Sequence, residues 1–155
     1  MQKNALLIFL SLITIPVHGQ DYKTQFDQLF SSGDTTKQIP NLLLKWEAED
    51  SNNPELLASY FNFYFQQAAE EVISLSDAEP QSQGLVLRDS TGEVSAFLGS
   101  TILYDSGLIN QAFEKIDRGI KLYPNRLDMR FGKCYVLMEL EKWEALAMEI
   151  IKSIQ

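Results

Sequence analysis

The chain has 155 residues, 45% hydrophobic and 22% charged, an ordinary globular balance that suits one domain rather than a disordered or fibrous polypeptide. Its formal charge is −8 and its pI about 4.6, so the molecule as a whole repels nucleic acid and anionic lipid. One cysteine permits no internal disulfide, and one histidine leaves little room for imidazole chemistry.

Residues 1–19 read as a secretory signal. Lys3 supplies the basic start, Ala5 to Ile15 is nearly all apolar, and Val17, His18 and Gly19 precede a cleavage point between Gly19 and Gln20. The apolar run falls short of the roughly 20 residues a membrane span needs, and no cysteine follows it to carry a lipid. The sequence therefore predicts an exported chain, periplasmic or secreted, with no stable membrane anchor. Cleavage also removes His18, the only histidine, which excludes histidine-served nucleophiles and the usual zinc sites from the mature protein. Losing Lys3 leaves 12 basic against 21 acidic residues, a charge of −9. No cofactor or metal is expected.

In the remaining domain, 20–155, Tyr22, Phe26, Leu29 and Phe30 fall on one stripe of a first helix, and Gly33 is placed to end it. Asp34 offers a cap to a second helix whose buried face is Ile39, Leu42, Leu43 and Trp46, with Pro40 near its start. Asp50 to Asn53 break the pattern, and Pro54 opens a third helix running to about Ile73. Its aromatic residues, Tyr60, Phe61, Phe63, Tyr64 and Phe65, surround it on several sides, so the helix is either covered by neighbours, the preferred reading, or offers part of its surface to a partner. The helical period then vanishes over about 74–93, an insertion with a turn at Asp89, Ser90, Thr91 and Gly92 and room for a small hairpin from Leu85 to Phe97.

A fourth helix is expected over Val94 to Tyr104, carrying Leu98, Gly99 and Ile102, followed by a turn at Asp105, Ser106 and Gly107. A fifth spans Leu108 to Tyr123, packing through Ile109, Ala112, Phe113, Ile116 and Ile120, and Pro124 closes it. For the sixth, counting strictly from Pro124 would bury Arg130 and Lys133. Starting one residue later rotates the helix by about 100° and puts Phe131, Cys134, Tyr135 and Met138 inward, with Ala147, Ile151 and Ile154 on the last helix. The second count avoids burying charge and is preferred, with Cys134 as a small core residue.

Leu98, Gly99 and Ile102, then Ala112, Ile116, Gly119 and Pro124, follow a spacing that resembles the tetratricopeptide repeat, W-x-x-L-G-x-x-Y followed by A-x-x-x-F and P. The resemblance implies an all-α solenoid of antiparallel helical hairpins, about seven helices with one irregular or β-hairpin insertion. It also implies a protein that binds partners rather than one that catalyses.

Two surfaces stand out as candidates for that binding. Lys115, Arg118 and Lys121 on the fifth helix and Arg126, Arg130 and Lys133 on the sixth form two basic rows suited to an acidic segment or a terminal carboxylate of a protein or peptide partner; their own acidic neighbours would otherwise make them a solvated face. At the other end, Trp143, Leu146, Ala147, Ile150, Ile151 and Ile154 make a stripe too wide for one neighbouring helix, which leaves three readings: a homo-oligomer through Leu146, Ile150 and Ile154, the leading part of a longer repeat array, or a last helix lying across the groove. The function expected is a non-catalytic interaction or scaffold module. The alternatives are a structural self-assembling subunit and a hydrolase using carboxylates alone, for which Glu70, Glu71, Asp77 and Asp89 are the candidates.

Overall fold

The computed structural model describes residues 18–33, 37–78 and 84–154. The expected signal segment up to Val17 and the expected cap Asp34 lie outside them, while His18 and Gly19 begin the first helix. The elements are α1 (His18–Ser31), α2 (Gln38–Glu49), α3 (Pro54–Ala68), β1 (Ala69–Ser76), β2 (Gly84–Arg88), β3 (Val94–Tyr104), α4 (Ser106–Leu122), α5 (Leu127–Glu139) and α6 (Trp143–Ser153).

The fold is a mixed α/β arrangement, which corrects the expectation of an all-α solenoid. The third helix stops at Ala68, and the fourth expected helix is instead the strand β3. The segment around Gly99, Ser100 and Thr101 is poor in helix formers, and Val94, Phe97, Ile102 and Tyr104 favour a pleated backbone. The three strands form one antiparallel sheet in the order β1-β3-β2. Ala69 pairs with Tyr104 and Ser76 with Phe97, while Leu85 pairs with Leu98 and Leu87 with Ala96. The sheet thus begins before and ends after the insertion expected at about 74–93.

Local chemistry sets the helix ends. Gly33 adopts φ 69° and its N–H donates to the Phe30 carbonyl, closing α1. The Asn53 side chain accepts from the N–H groups of Glu55 and Leu56 ahead of Pro54, and the Asp105 carboxylate accepts from the Leu108 N–H. The residues expected to turn the chain after β3 are therefore the cap and first turn of α4.

Two cores flank α3. On one side Phe26, Ile39, Leu42, Leu43 and Trp46 from α1 and α2 meet Leu56, Tyr60 and Phe63. On the other, Phe61 and Ala68 meet Ile109, Ala112, Ile116, Met129 and Val136 from α4 and α5. The aromatic ring of residues around α3 is accordingly covered on two sides. Close approach depends on small residues: a Cβ on Gly119 would lie 2.8 Å from the Met129 sulfur, and one on Gly132 would lie 3.4 Å from the Phe61 ring. α3 is the packing partner of α4, so the sheet is inserted between the two arms of one helical pair.

The preferred register of α5 is also corrected. Met129, Val136 and Leu137 face inward, while Phe131, Tyr135 and Met138 are exposed. Arg130 and Lys133, rejected as core positions on charge, have side chains only 16% and 17% exposed. Their charge is met by Glu149 of α6, itself buried, at 2.8 Å from Arg130 and 3.3 Å from Lys133. On α6 the inward positions are Leu146, Glu149 and Ser153, leaving Ala147, Ile151 and Ile154 outside.

Candidate functional site

The six basic residues do not assemble into an open clamp. Lys115 bonds Glu47 of α2 at 2.7 Å and lies 4.1 Å from the centre of the Tyr60 ring. Glu47 also accepts from the Tyr60 hydroxyl at 2.8 Å, so one carboxylate ties α2, α3 and α4 together. The hydrogen bond from Lys115 holds the Glu47 carboxyl below its ordinary value against the opposing effect of burial. Burial, then the bond to Glu47, pushes the Tyr60 hydroxyl well above the ordinary phenol range.

Arg118 donates to Asn52 at 2.6 Å, and Arg126 forks between Asp128 at 2.7 Å and Glu55 at 2.8 Å. The Asp128 carboxyl is lowered chiefly by its hydrogen bonds from Arg126. Lys133 bonds Asp117 at 2.6 Å. Burial alone would depress its ammonium, but Asp117 and Glu149 together raise it. Lys121 is exposed near the end of α4. Five of the six are thus engaged with other elements of the same chain, and their geometry is that of internal staples.

The four carboxylates considered for hydrolysis are spread out as well. Glu70 and Glu71 are successive strand residues and project to opposite faces of the sheet. Asp77 follows β1 and is exposed. Asp89 locks the β2–β3 turn, accepting from the Thr91 hydroxyl at 2.7 Å and from the N–H groups of Thr91 and Glu93 at 2.8 and 3.0 Å. The hydrogen bond from the Thr91 hydroxyl is the main reason its carboxyl lies below the ordinary value. These positions supply no two carboxyls facing one cleft. Among the described residues no group of three His, Cys, Asp or Glu side chains is placed to hold a metal ion. None of the helices among them is long and apolar enough to cross a membrane. Cys134 is half-buried, and its thiol is raised by burial.

What is concentrated on the surface is apolar side chains. α5 presents Leu127, Phe131, Tyr135 and Met138 along one stripe, and α6 presents Trp143, Ile150, Ile151 and Ile154 along another. Phe131 is 61% and Ile154 80% exposed. Of the residues expected to self-associate, Ile150 and Ile154 are therefore on the outside and Leu146 is half-buried.

The sheet adds a second apolar surface. Glu71, Ile73 and Leu75 of β1 share a face with Leu98, Ser100 and Ile102 of β3 and with Leu85 and Leu87 of β2. Ile73 is 70% and Leu75 64% exposed, and the face holds a shallow groove of about 560 Å³ lined by Ile73, Leu85, Leu98 and Glu71. At the foot of the sheet Tyr104 stacks on Phe65 at 5.6 Å, and Phe65 meets Tyr135 edge-on at 6.2 Å.

Sequence reasoning missed the sheet surface because it read β3 as a helix, although the alternation in Glu71, Ile73 and Leu75 was a signal for strand. It missed Glu149 because that residue's partners are 16 and 19 positions away in the chain. Compared with protein-family models, with characterised proteins and with solved structures, the chain finds no significant match.

Proposed function

We propose that this chain is a non-catalytic interaction module of an exported protein, and that it docks a protein or peptide partner on the apolar stripes of α5 and α6. The observation that carries this reading is the outward row Phe131, Tyr135 and Met138 on α5 and the row Trp143, Ile150, Ile151 and Ile154 at α6, where the other helices expose large apolar residues only singly. Scattered exposed apolar residues are ordinary, but contiguous rows of large ones mark association surfaces. The basic rows are spent on internal bonds, so the partner's contribution is an apolar face, most simply an amphipathic helix lying along the stripes.

A photo-activatable crosslinker placed at Phe131 or Ile151 in producing cells tests this. Discrete adducts at both positions, absent when the probe sits at the exposed Glu114 on α4, are the expected result. No adduct at either position, or the same adducts at Glu114, would sink it.

A further inference from the structure

We propose that β1 pairs with β1 of a second copy of this chain, antiparallel about a two-fold axis at Ile73, joining two three-stranded sheets into one of six strands. This goes beyond partner docking on α5 and α6 and uses a different surface.

The proposal starts from which backbone groups are already spent. The Asp105 N–H donates to the Ala68 carbonyl at 2.9 Å, and these two residues continue the register in which Ala69 faces Tyr104. In an antiparallel pair, hydrogen-bonded and non-bonded positions alternate. Bonds at Ala68 therefore assign the β3 ladder to Glu70, Val72, Ser74 and Ser76. The N–H and C=O groups of Glu71, Ile73 and Leu75 point the other way, off the sheet, where β1 is the edge strand.

Apart from its two glutamates, that edge lacks the devices that usually blunt one. β1 has eight residues, contains no proline and no basic side chain, and pairs with β3 without a register shift. The opposite edge, β2, has five residues and an irregularity between Leu87 and Arg88. An open strand of this kind is a template for strand addition, in which main-chain bonds supply the affinity.

The strand is also complementary to itself. With Ile73 opposite its own copy, Glu71 lies opposite Leu75, Val72 opposite Ser74 and Glu70 opposite Ser76, so no carboxylate meets a carboxylate. Slipping the register by two residues one way sets Glu71 against Asp77, and by four the other way sets Glu71 against itself. In the centred register Glu71, Ile73 and Leu75 of each copy exchange both their backbone bonds, and the exposed Ile73 side chains become neighbours on one face. The net negative charge on each copy, −8 for the full chain and −9 after the expected cleavage, opposes association at long range, so added salt strengthens the dimer.

The test is the solution mass of the purified exported chain by light scattering across a concentration series, repeated with three variants. A rise from one chain to two, steeper at high salt, is expected. Ile73→Pro removes an N–H that the β3 ladder does not use, so it should leave the far-UV circular dichroism spectrum unchanged while abolishing the rise. Leu75→Glu sets like charges opposite Glu71 twice and should raise the dimer Kd roughly tenfold. Leu75→Lys sets opposite charges there and should not weaken the dimer. A mass of one chain throughout would overturn the proposal. So would equal weakening by the two Leu75 variants, which is the mark of association through the apolar face, or no weakening by either. Crosslinking at Phe131 reads the helical stripes separately, so loss of one finding leaves the other standing.

Discussion

The helical core around α3 and the sheet treat apolar side chains in opposite ways. In the body Trp46, Leu57 and Ile116 are almost wholly enclosed, whereas every strand of the sheet leaves large aliphatic residues in solvent. Both regions have regular backbones, so the difference lies in what covers them. α3 is sandwiched between two cores, while the sheet is joined to the body mainly through its foot at Ala68, Phe65 and Tyr104. A region that keeps its hydrogen bonds but buries little is suited to meeting another surface rather than to stabilising its own fold.

That contrast can be broken at its strongest point by Trp46→Ala. The indole is stacked on Tyr22 at 5.8 Å and is 1% exposed. Its removal should cost about 3–5 kcal/mol in guanidinium unfolding. A loss below about 1 kcal/mol would mean the first core is not as tightly packed as described.

Next in size is Glu149→Ala, which strands the largely buried cation of Arg130 and leaves Lys133 with Asp117 alone. About 3 kcal/mol should be lost, measured the same way. Glu149→Gln should recover part of it by keeping a hydrogen-bond acceptor for Arg130.

Acid sharpens the comparison without mutation. The Glu47 and Asp128 carboxyls have folded-state values below their ordinary ones, so their contribution is present above the ordinary carboxylate range and is lost as pH falls through the lowered values. Thermal scans from pH 7 downward should show the body losing stability once pH passes below about 4. A melting temperature unchanged down to pH 2 would contradict the role given to these pairs.

The smallest effects belong to the sheet surface. Leu85→Thr and Ile102→Thr keep strand propensity and remove side chains already in solvent, so each should change stability by less than about 0.5 kcal/mol. Losses of several times that size would show that another part of the chain covers this face.

How much of this was legible beforehand differs residue by residue. Asn53 with Pro54, and Gly33, marked helix ends through chemistry contained within a few residues, and the stripe of Ile109, Ala112 and Ile116 gave the buried face of α4. Leu98 and Ile102 misled because a spacing of four places two residues on one face of a helix and equally on one face of a strand. The intervening Gly99, Ser100 and Thr101 were the better guide. On α5 the rule against burying charge favoured the wrong rotation, because Arg130 and Lys133 enter the interior together with Glu149.

The sequence by itself marked the close of α1 at Gly33, the start of α3 at Pro54 and the apolar face of α4, since helix-end chemistry and periodicity are short-range properties of the backbone. Only the tertiary structure decided that 69–104 forms a sheet between α3 and α4, that two cations and a carboxylate share the α5–α6 interior, and that β1 is left as an open edge. Each of those depends on segments distant in the chain satisfying one another's hydrogen bonds and charges, and no local pattern records which distant segment will do so.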